Sequence, residues 1–372
     1  MNLQNSYIQK KKVSQYFRKM EMKGIPLSFE FEITARCNNN CRHCCINRPP
    51  DDRQAKAQEL SVVEIEAIAA EAVSIGANFC LLTGGEPLVR EDFTEIYTAI
   101  KRRGMIISLF TNACLITKDH IDLFSKYRPN EIEVTVYGIT EATYEKVTRT
   151  PGSFAAFRKG TELLLNAGFR VRFKTMALRS NVHELPGIAR FGRRYGQKYF
   201  RYDPMLSLRL DGDEKRNTDI RAERLDPDEI AAIEHGDRER FSELKKHRCR
   251  LIFSERPTSD CRHIFRCGAG DGSFAVSYDG RFRLCLSLCD DAYTYDLRRG
   301  TLNEAYYGFV PQIRNLKSDS REYMARCGVC SMVNLCYWCP AHAYLESGIL
   351  DLHVDYFCEI AKKREAILNK SI

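Results

Sequence analysis

Strand-like and helix-like patterns alternate along the chain from residue 27 to about residue 205. Short apolar runs that end at Gly, Pro or charged residues predict strands, and apolar positions three and four residues apart predict helices between them. The predicted strands are 27–33, 78–83, 105–111, 131–137, 170–177 and 198–204. The predicted helices include 62–75, 91–102 and 154–167, the first opened by a capping-box pattern at Ser61 and Glu64. Six strand–helix units in sequence predict a parallel sheet covered by helices.

The length of this segment indicates how the sheet closes. A complete eight-unit barrel takes about 250 residues, so six units require about 190. The expected fold class is therefore α/β, a partial (β/α)6 barrel of the TIM type. In such barrels the functional groups lie at the carboxyl ends of the strands.

The remainder of the chain differs from this segment in its charge and cysteine content. Residues 206–250 are highly charged, and nine of the sixteen cysteines fall in the last 112 residues. The run Tyr278-Asp279-Gly280 between two apolar stretches predicts a β-hairpin. We therefore expect a small second domain, with a hairpin and short helices, that is organised by bound metal more than by an apolar core. The predicted divisions are an N-terminal arm (1–26), the barrel (27–232), a connection (233–260) and the cysteine-rich domain (261–372).

Composition favours a cytoplasmic location. No stretch approaches the ~20 apolar residues of a membrane span, and the polar, basic residues 1–23 lack the apolar segment of a secretory signal. We expect a cytoplasmic protein without membrane contact. In that compartment, clustered cysteines indicate metal binding rather than a disulfide framework.

Three cysteines near the N-terminus have the spacing C-x3-C-x2-C. They are Cys37, Cys41 and Cys44, and they follow the first predicted strand. Three thiolates on one loop suit a cubane iron–sulfur cluster, whose fourth iron then stays open to a small molecule. A structural zinc site with His43 as fourth ligand is the alternative. Spacing alone leaves both interpretations open.

A glycine turn follows the second predicted strand. Its residues are Gly84, Gly85, Glu86 and Pro87. Glycine has no Cβ, so the backbone there can approach a ligand closely. The Glu86 carboxylate suits a ligand ammonium group.

These two motifs together resemble the radical S-adenosylmethionine (SAM) superfamily, in which a three-cysteine loop follows the first strand and a Gly-Gly-Glu-Pro turn follows the second. The resemblance implies that the three cysteines hold a [4Fe–4S] cluster and that SAM chelates its open iron. It also implies that Gly84, Gly85, Glu86 and Pro87 cradle the methionyl amine and that His43 lies near the adenine. With both motifs present, zinc at the cysteine triplet is disfavoured.

Two cysteine groups characterise the C-terminal region. The first is Cys261-x5-Cys267 followed by Gly280-x4-Cys285, and the second is Cys327-x2-Cys330-x5-Cys336-x2-Cys339 followed by Cys358. Paired C-x2-C units also bind zinc, so a zinc ribbon is the alternative. The whole array resembles the SPASM domain, an extension of radical SAM enzymes that mature peptides and proteins.

The SPASM resemblance implies two auxiliary [4Fe–4S] clusters with interleaved ligands. The implied ligands are Cys261, Cys267, Cys285 and Cys339 for the inner cluster, and Cys327, Cys330, Cys336 and Cys358 for the outer one. Some relatives lack the ligand at Cys261 and keep an open site, and Cys289 is its competitor here. The cysteines expected to be free are Cys45, Cys80, Cys114, Cys249 and Cys289. Of these, Cys80 and Cys114 are expected to be small buried hydrophobic residues.

Matched positions imply further SAM contacts. Thr135 keeps a hydroxyl near the end of the fourth strand for the SAM carboxylate or ribose, although Tyr137 replaces the aspartate of relatives. Arg149 matches an arginine that pairs with the SAM carboxylate, a contact that bidentate guanidinium geometry suits; a surface arginine is the alternative. Tyr202, near the end of the sixth strand, is expected to contact the adenine.

A candidate base is less clearly marked. In sulfatase-maturing relatives an aspartate follows the last hairpin cysteine, whereas Leu286 follows Cys285 here. Sulfatase maturation is therefore the weaker function. Asp203 and Asp290 are the candidate bases, with a structural or solvent-facing role as the alternative for each.

Bound clusters would change the charge balance. The formal net charge is +8, but eleven deprotonated thiols and three cluster cores lower it to about +3. The basic excess therefore gives no support for nucleic-acid binding. A flavodoxin- or ferredoxin-type protein is the expected reductant.

The combined resemblance implies an enzyme that reductively cleaves SAM to a 5′-deoxyadenosyl radical and oxidatively crosslinks or otherwise matures a ribosomally made peptide. About 26 residues precede the first strand, so we expect a leader peptide, if used, to be held by a separate protein or another surface. The alternatives are modification of a small molecule, such as a tetrapyrrole or a quinone-cofactor precursor, and a multi-cluster electron carrier. The amino-acid-binding turn at 84–87 disfavours the carrier.

Overall fold

The computed structural model describes residues 24–195, 200–252 and 261–370. Most of the predicted N-terminal arm (1–23), the first two residues of the predicted sixth strand (198–199), part of the predicted connection (253–260) and residues 371–372 lie outside the described residues.

One sheet contains all the strands of the described chain, in the order β6-β5-β4-β3-β2-β1-β7-β8-β9. The strands are β1 Ser28–Glu32, β2 Phe79–Thr83, β3 Ile106–Thr111, β4 Glu131–Thr135, β5 Val171–Met176, β6 Arg201–Asp203, β7 Ser273–Val276, β8 Arg281–Arg283 and β9 Tyr295–Asp296. β1 to β6 are parallel and adjacent in chain order. All six predicted barrel strands are therefore present, and the predicted α/β class is confirmed.

Helices connect these strands and cover one face of the sheet. They are α1 Arg53–Gln58, α2 Val62–Ser74, α3 Phe93–Arg102, α4 Lys118–Lys126, α5 Glu141–Thr148, α6 Ser153–Asn166, α7 Leu185–Arg193, α8 Glu214–Glu223, α9 Pro227–Gly236, α10 Arg238–Lys246, α11 Arg248–Leu251, α12 Val310–Arg314, α13 Arg321–Ala325, α14 Pro340–Ser347 and α15 Asp355–Lys370. Short 3-10 turns lie at Pro87–Val89, Val182–Glu184, Asp291–Tyr293 and Cys327–Val329, and a π-helical segment at Glu304–Phe309 precedes α12. Among the described residues, no helix combines the length and the apolar character that crossing a bilayer requires.

Local sequence explains where the helices begin. The Ser61 hydroxyl and the Glu64 carboxylate form the predicted capping box at the start of α2. Asp226 and Glu229 form a second one at α9, within the charged segment between barrel and cysteine-rich region. That segment folds into four helices, α8 to α11, which bury apolar residues such as Ile220 and Ile230 and leave most of their charged residues toward solvent.

The two faces of the parallel sheet differ in chemistry. Side chains on the helix side are buried and mostly apolar, including Phe31, Leu82, Leu109 and Val134. The opposite side, called the inner face here, carries polar and charged residues from several strands. These include Glu30, Glu32, Ser108, Glu133, Lys174, Arg201 and Asp203. Because alternate residues of a strand point to opposite faces, apolar core positions alternate along the strands with positions of the inner face, many of which are polar.

The predicted hairpin of the cysteine-rich region belongs to the same sheet. β7 pairs with β1 in parallel, so that Ser28 lies beside Ser273. β8 then returns antiparallel to β7, with Ala275 opposite Arg283. The hairpin therefore extends the barrel sheet beyond β1 and places Arg283 on the inner face. The predicted division between barrel and cysteine-rich domain stays a prediction.

Candidate active site

The glycine turn after β2 lies directly against the backbone that leads from β1 to the cysteine loop. The Gly85 amide donates to the Thr34 carbonyl at 2.8 Å and the Glu86 amide to the Arg36 carbonyl at 2.9 Å. A Cβ on Gly84 or Gly85 would come within 2.3 Å of a carbonyl oxygen of this segment. Glycine is therefore required at these two positions by the fold itself, because the turn and the segment after β1 approach each other too closely for a Cβ atom.

The predicted ligand cysteines of the N-terminal loop lie close together. Cys37 and Cys41 are buried and Cys44 is half-buried. Burial, followed by the neighbouring Cys41 thiol, raises the pKa of Cys37, and burial followed by the Cys44 thiol raises the pKa of Cys41. The Asn39 amide donates to the Cys37 sulfur at 3.4 Å. Three clustered thiols with an N–H donor aimed at one sulfur fit the donor set of an iron–sulfur cluster.

The positions of the cysteines can be compared with those of the ligands around a single metal ion. Within residues 24–195, 200–252 and 261–370, no three His, Cys, Asp or Glu side chains surround one point as ligands of one ion do. The cysteines of a cubane bind different iron atoms and do not converge in this way. The described residues therefore offer no closed tetrahedral zinc set.

Glu86 is a fully buried carboxylate beneath this loop. It accepts hydrogen bonds from the Thr111 hydroxyl at 2.8 Å, the Asn112 amide at 2.7 Å and the Leu88 amide at 3.2 Å. Burial raises its pKa to about 7. No Lys or Arg of the described residues forms an ion pair with it. A buried carboxylate without a cationic partner fits the ammonium group of an amino-acid ligand.

His43 and Tyr137 lie together beside the loop. Their ring centroids are 5.1 Å apart. His43 is buried, its Nδ1 has no hydrogen-bond partner among the described residues, and burial lowers its pKa to about 4. The ring is therefore neutral, which suits the predicted place beside a heterocycle. Tyr137 lies beside the Cys41 thiol.

Sequence reasoning missed the residues at the end of β3. Thr111 and Asn112 bind the Glu86 carboxylate, and the Asn112 side-chain amide also donates to Asn38 at 2.8 Å. Their position at the carboxyl end of the strand beside β2 was the available signal. Hydroxyl and amide side chains at a strand end are common, however, and only the tertiary contacts single these two out.

Two further predicted SAM contacts occupy different surroundings. Thr135 ends β4 on the inner face, in register with Lys174. Arg149 ends α5 with a positive φ of 53°, and its guanidinium donates to Asp219 of α8 at 2.6 Å. Arg42 of the cysteine loop also lies 3.8 Å from Asp219. Arg149 therefore sits next to the loop, but a carboxylate of the chain already occupies its guanidinium.

The predicted adenine contact of Tyr202 stays a prediction, although the residue faces the helices. Tyr202 pairs with Thr175 on the helix side of the sheet, not on the inner face. Its hydroxyl donates to the Ile233 carbonyl of α9 at 3.2 Å, and the Arg240 guanidinium lies 4.3 Å from its ring centroid. The reason is strand alternation: the neighbouring residues Arg201 and Asp203 face inward, so Tyr202 must face the helices.

The two candidate bases are both engaged in local hydrogen bonds. Asp203 lies on the inner face and accepts from the Met205 amide at 3.0 Å. Asp290 accepts from the Ala292 amide at 2.9 Å and from the Tyr344 hydroxyl. These contacts give Asp290 a capping role, whereas Asp203 remains directed toward the interior of the partial barrel.

The C-terminal cysteines form two groups. Cys327, Cys330, Cys336 and Cys358 lie together, and the thiols of Cys336 and Cys358 are hydrogen-bonded to each other. The second group contains Cys267, Cys285 and Cys339. These groups agree with the predicted outer and inner ligand sets in all but one member.

Cys261 is the exception. The contacts that the structure gives it are to Gly328, where a Cβ would come 2.5 Å from the Cys261 carbonyl oxygen, and to Tyr323. Both residues border the outer group. Its competitor Cys289 donates to the Leu210 carbonyl at 3.5 Å and lines a cavity with Cys45. The structure thus brings three inner-group cysteines together and leaves the fourth ligand a prediction.

The remaining cysteines have varied surroundings. Cys80 is 1% exposed on the helix side of β2, as a small hydrophobic residue would be. Cys114 is half-buried and donates to the Ser153 carbonyl at 3.5 Å. Cys249 is exposed.

A cavity separates the inner cysteine group from the inner face of the barrel. Its volume is about 350 Å³, and its lining includes Glu30, Ser108, Gly268 and Cys285. Cys285 follows β8, whose pairing with β7 continues the β1 edge of the sheet. The inner group therefore lies at the amino-terminal end of the strands, and the Cys37–Cys44 loop lies at the opposite end.

Comparison with known proteins agrees with this geometry. Residues 31–192 match the family model described as Radical SAM superfamily. The chain is 25% identical over 345 residues to an AdoMet-dependent heme synthase of Methanosarcina barkeri, which covers 88% of this chain and 95% of that protein. It is 24% identical over 325 residues to the antilisterial bacteriocin subtilosin biosynthesis protein AlbA of Bacillus subtilis, covering 84% of this chain and 68% of AlbA.

A solved structure extends the likeness of fold to nearly the whole chain. Streptococcus suis SuiB, crystallised with its precursor peptide SuiA, superposes with a TM-score of 0.68 at 15% identity, covering 96% of this chain and 82% of SuiB.

The fold, the cysteine loop and the matched family define a radical SAM domain over residues 31–192. The chain thus carries a radical SAM domain, and its cysteine-rich C-terminal region fits a SPASM domain. The resemblance predicted from the sequence is thereby confirmed, and it implies SAM and one [4Fe–4S] cluster as cofactors.

Proposed function

We propose that this enzyme oxidatively modifies a ribosomally made peptide, with SAM and one cluster at the carboxyl ends of the strands and two auxiliary [4Fe–4S] clusters in the C-terminal region. Cys37, Cys41 and Cys44 are the proposed ligands of the first cluster. The proposed auxiliary ligands are Cys261, Cys267, Cys285 and Cys339, and Cys327, Cys330, Cys336 and Cys358. The observation that carries the proposal is the grouping of the C-terminal cysteines into two separate sets, one of which reaches through Cys285 a cavity that Glu30 and Ser108 of the inner face also line.

The residues around the triplet have distinct proposed tasks. When bound, the cluster and SAM together supply one-electron cleavage of SAM and abstraction of a hydrogen atom from the substrate. Glu86 accepts the methionyl ammonium, because its buried carboxylate has no cation of its own among the described residues. His43 and Tyr137 provide an aromatic wall beside the loop. The buried loop excludes water from the reacting atoms.

A peptide substrate is supported by the relatives. AlbA takes part in the biosynthesis of subtilosin, a bacteriocin, and SuiB is seen with a precursor peptide. The proposed partners are therefore a precursor peptide, held by a separate leader-binding protein where it has a leader, and a flavodoxin- or ferredoxin-type reductant. The proposed location is the cytoplasm.

Modification of a tetrapyrrole is the second candidate function. The observation that favours it is the match to a heme synthase over 95% of that protein's length. Arg283 on the inner face also offers a guanidinium to a substrate that carries carboxylates.

Product analysis after anaerobic reconstitution tests both candidates. The cluster-loaded enzyme is incubated with dithionite, SAM and either candidate precursor peptides or coproporphyrin III in its iron form. We expect 5′-deoxyadenosine together with a mass loss of two hydrogens per crosslink in a peptide. A mass change in the tetrapyrrole alone would establish the second candidate. If no 5′-deoxyadenosine forms at full cluster content, the chain is an electron carrier and the proposed function is wrong.

A further inference from the structure

A small cavity lies where the cysteine loop, the segment after β6 and the hairpin meet. Its volume is about 120 Å³, enough for a few water molecules at ~30 Å³ each or for a carboxylate with its adjoining carbon. We call it the side cavity. Its lining includes Glu32, Cys45, Arg48, Asp211, Arg283 and Cys289. It therefore borders the loop that carries Cys44 on one side and the strand that precedes Cys285 on the other.

Arg283 is a buried guanidinium with few hydrogen bonds. It is 8% exposed, and its Nε has no partner among the described residues. Its Nη1 donates to the Leu286 carbonyl at 3.4 Å, a long contact. Glu32 lies 3.8 Å from the same nitrogen, beyond hydrogen-bond distance. Buried guanidinium groups are normally paired through hydrogen bonds, but here Nε lacks an acceptor and Glu32 approaches only to ion-pair distance.

The other charges around the side cavity do not supply that acceptor. Asp211 accepts from Arg209 at 2.9 Å and lies 3.0 Å from Arg48, so its carboxylate is occupied. Burial raises the pKa of Glu32 to about 7, against the opposing effect of Arg283. Near neutral pH, Glu32 is therefore partly protonated. The side cavity consequently has an excess of positive charge, and Arg283 is its deepest cation.

We propose that Arg283 binds a carboxylate of the substrate in the side cavity. This inference rests on the proposed function, because it names a chemical feature of the substrate: an acidic side chain or terminal carboxylate of a peptide, or a propionate of a tetrapyrrole. A carboxylate matches the planar donor pattern of a guanidinium and can be held through two hydrogen bonds. Bound there, it fixes the substrate between the cysteine loop and the inner cysteine group. Arg283 is thus a binding residue and takes part in no bond change.

The test compares paired probes on the cluster-loaded enzyme with SAM under anaerobic conditions. In the peptide arm, a fluorescent hexapeptide with one Glu is compared with its Gln counterpart. In the tetrapyrrole arm, coproporphyrin III is compared with its tetramethyl ester. We expect the carboxylate form to bind at least about tenfold tighter than its neutral form in one arm, because charge-assisted hydrogen bonds are strong in a buried site. The arm with this preference identifies the source of the carboxylate.

Variants of the side cavity make the test specific. Arg283→Gln should abolish the preference for the carboxylate probe, while Arg283→Lys should retain part of it. Arg298→Gln is the matched control, since Arg298 lies outside the side cavity and pairs with Glu64 at the surface; it should change the preference by less than about threefold. Iron and sulfide content and the visible spectrum establish that each variant carries its clusters.

A second variant covers the case in which Arg283→Gln loses a cluster because it lies close to Cys285. At pH 8 the Glu32 carboxylate competes for Arg283, with Glu30 and Asp279 as the neighbouring acidic groups and the thiols of Cys45 and Cys289 in the same cavity. Glu32→Gln should therefore tighten binding of the carboxylate probe severalfold at pH 8.

The inference is overturned if neither arm prefers the carboxylate, if Arg283→Gln with full cluster content keeps the preference, or if Glu32→Gln leaves binding at pH 8 unchanged or weaker. Formation of 5′-deoxyadenosine is measured separately in the same samples. If it continues while the carboxylate preference is absent, the proposed function stands and only the carboxylate site is wrong.

Discussion

At the scale of single residues, the site contains three buried polar side chains that each lack one expected partner, either an ion pair or a hydrogen bond. Glu86 has three hydrogen-bond donors around its carboxylate but no ion-pair partner among the described residues. His43 has a buried ring nitrogen without a partner in the described chain. The buried Nε of Arg283 also has no hydrogen-bond partner among the described residues, and its guanidinium carries the charge opposite to that of the Glu86 carboxylate. Each of these groups therefore points to a ligand that carries the missing partner.

Glu86→Gln should weaken SAM binding. The substitution keeps the shape of the side chain but removes the charge that attracts the methionyl ammonium, and a hydrogen bond to a charged group contributes about 1.5–3 kcal/mol. We expect the dissociation constant of SAM to rise about tenfold to a hundredfold, measured by anaerobic equilibrium dialysis. Glu64→Gln, at the solvent-exposed start of α2, should leave it unchanged. Equal SAM binding by wild type and Glu86→Gln would contradict the assigned role.

Gly85→Ala should destabilise the protein. The added Cβ would meet the Arg36 and Ala35 carbonyl oxygens at 2.3 and 2.5 Å, and backbone atoms cannot move aside as a flexible side chain can. Overpacking of this kind costs about 1–3 kcal/mol. A lower midpoint of thermal unfolding checks this expectation.

Gly236→Ala provides the matched control for that experiment. Gly236 ends α9, a Cβ added there would have no atom within 4 Å, and the φ of this residue is not positive. Alanine there should be neutral or stabilising by about 0.5–1 kcal/mol. An equal loss of stability in both variants would attribute the effect to glycine replacement in general and not to the contact with the cysteine loop.

At the scale of elements, the hairpin and the last helix bring distant cysteines to the site. β8 leads into Cys285, which joins Cys267 and Cys339. α15 contributes Cys358 to the outer group. The sequence spacing predicted both groups, but the hairpin belongs to the barrel sheet whereas α15 pairs with α9 through Arg364 and Glu234.

Iron content tests the assignment of the outer group. Cys358→Ser should remove about four irons per chain while 5′-deoxyadenosine formation continues, because the proposed SAM cluster has separate ligands. Replacement of Cys37, Cys41 and Cys44 together should instead abolish 5′-deoxyadenosine and leave about eight irons. Cys249→Ser is the control, since this exposed cysteine belongs to neither group. Full iron content in Cys358→Ser would contradict its role as a ligand.

At the scale of the whole molecule, a buried ion-pair network joins the segment after the barrel to the C-terminal helix. Glu234 of α9 lies 2.5 Å from Arg364 of α15 and 2.6 Å from Arg240 of α10. Glu234 and Arg364 are 2% and 8% exposed. Although burial acts to raise it, these two cations hold the pKa of Glu234 below its usual value. The network therefore stabilises the packing of the C-terminal helix on the protein.

Arg364→Met should lower the free energy of unfolding by about 3 kcal/mol, because it leaves a buried carboxylate with one cation fewer. Lys362→Met, which removes an exposed partner of Glu359, should cost less than about 1 kcal/mol. Because the folded-state pKa of Glu234 is depressed, its contribution is fully present above the unfolded pKa of about 4.3 and is lost as pH falls from there through the lower folded-state pKa. Denaturant unfolding at pH 7 and pH 4 measures both effects. A similar loss in the two variants would contradict the proposed stabilisation.

The sequence by itself determined the six strand–helix units, the radical SAM resemblance and the two C-terminal cysteine groups. These features depend on short-range patterns. Periodicity specifies each strand and helix, and the spacing of the ligand cysteines can be recognised within short segments. Glu86 could be selected for the same reason, because its motif is contiguous. The role of Thr111 and Asn112 could not be predicted, since an ordinary dipeptide at a strand end acquires its meaning only from the carboxylate beside it.

Only the tertiary structure decided how these features meet. The strand register turned Tyr202 toward the helices, and the pairing of Ser28 with Ser273 joined the hairpin to the barrel sheet. That pairing brings Arg283 near β1, where Glu32 is too distant for a hydrogen bond. Such contacts join residues far apart in sequence, and no local pattern specifies them. They result from the packing of the whole sheet. This packing determines the direction of each side chain and whether a partner of the chain lies within reach of it.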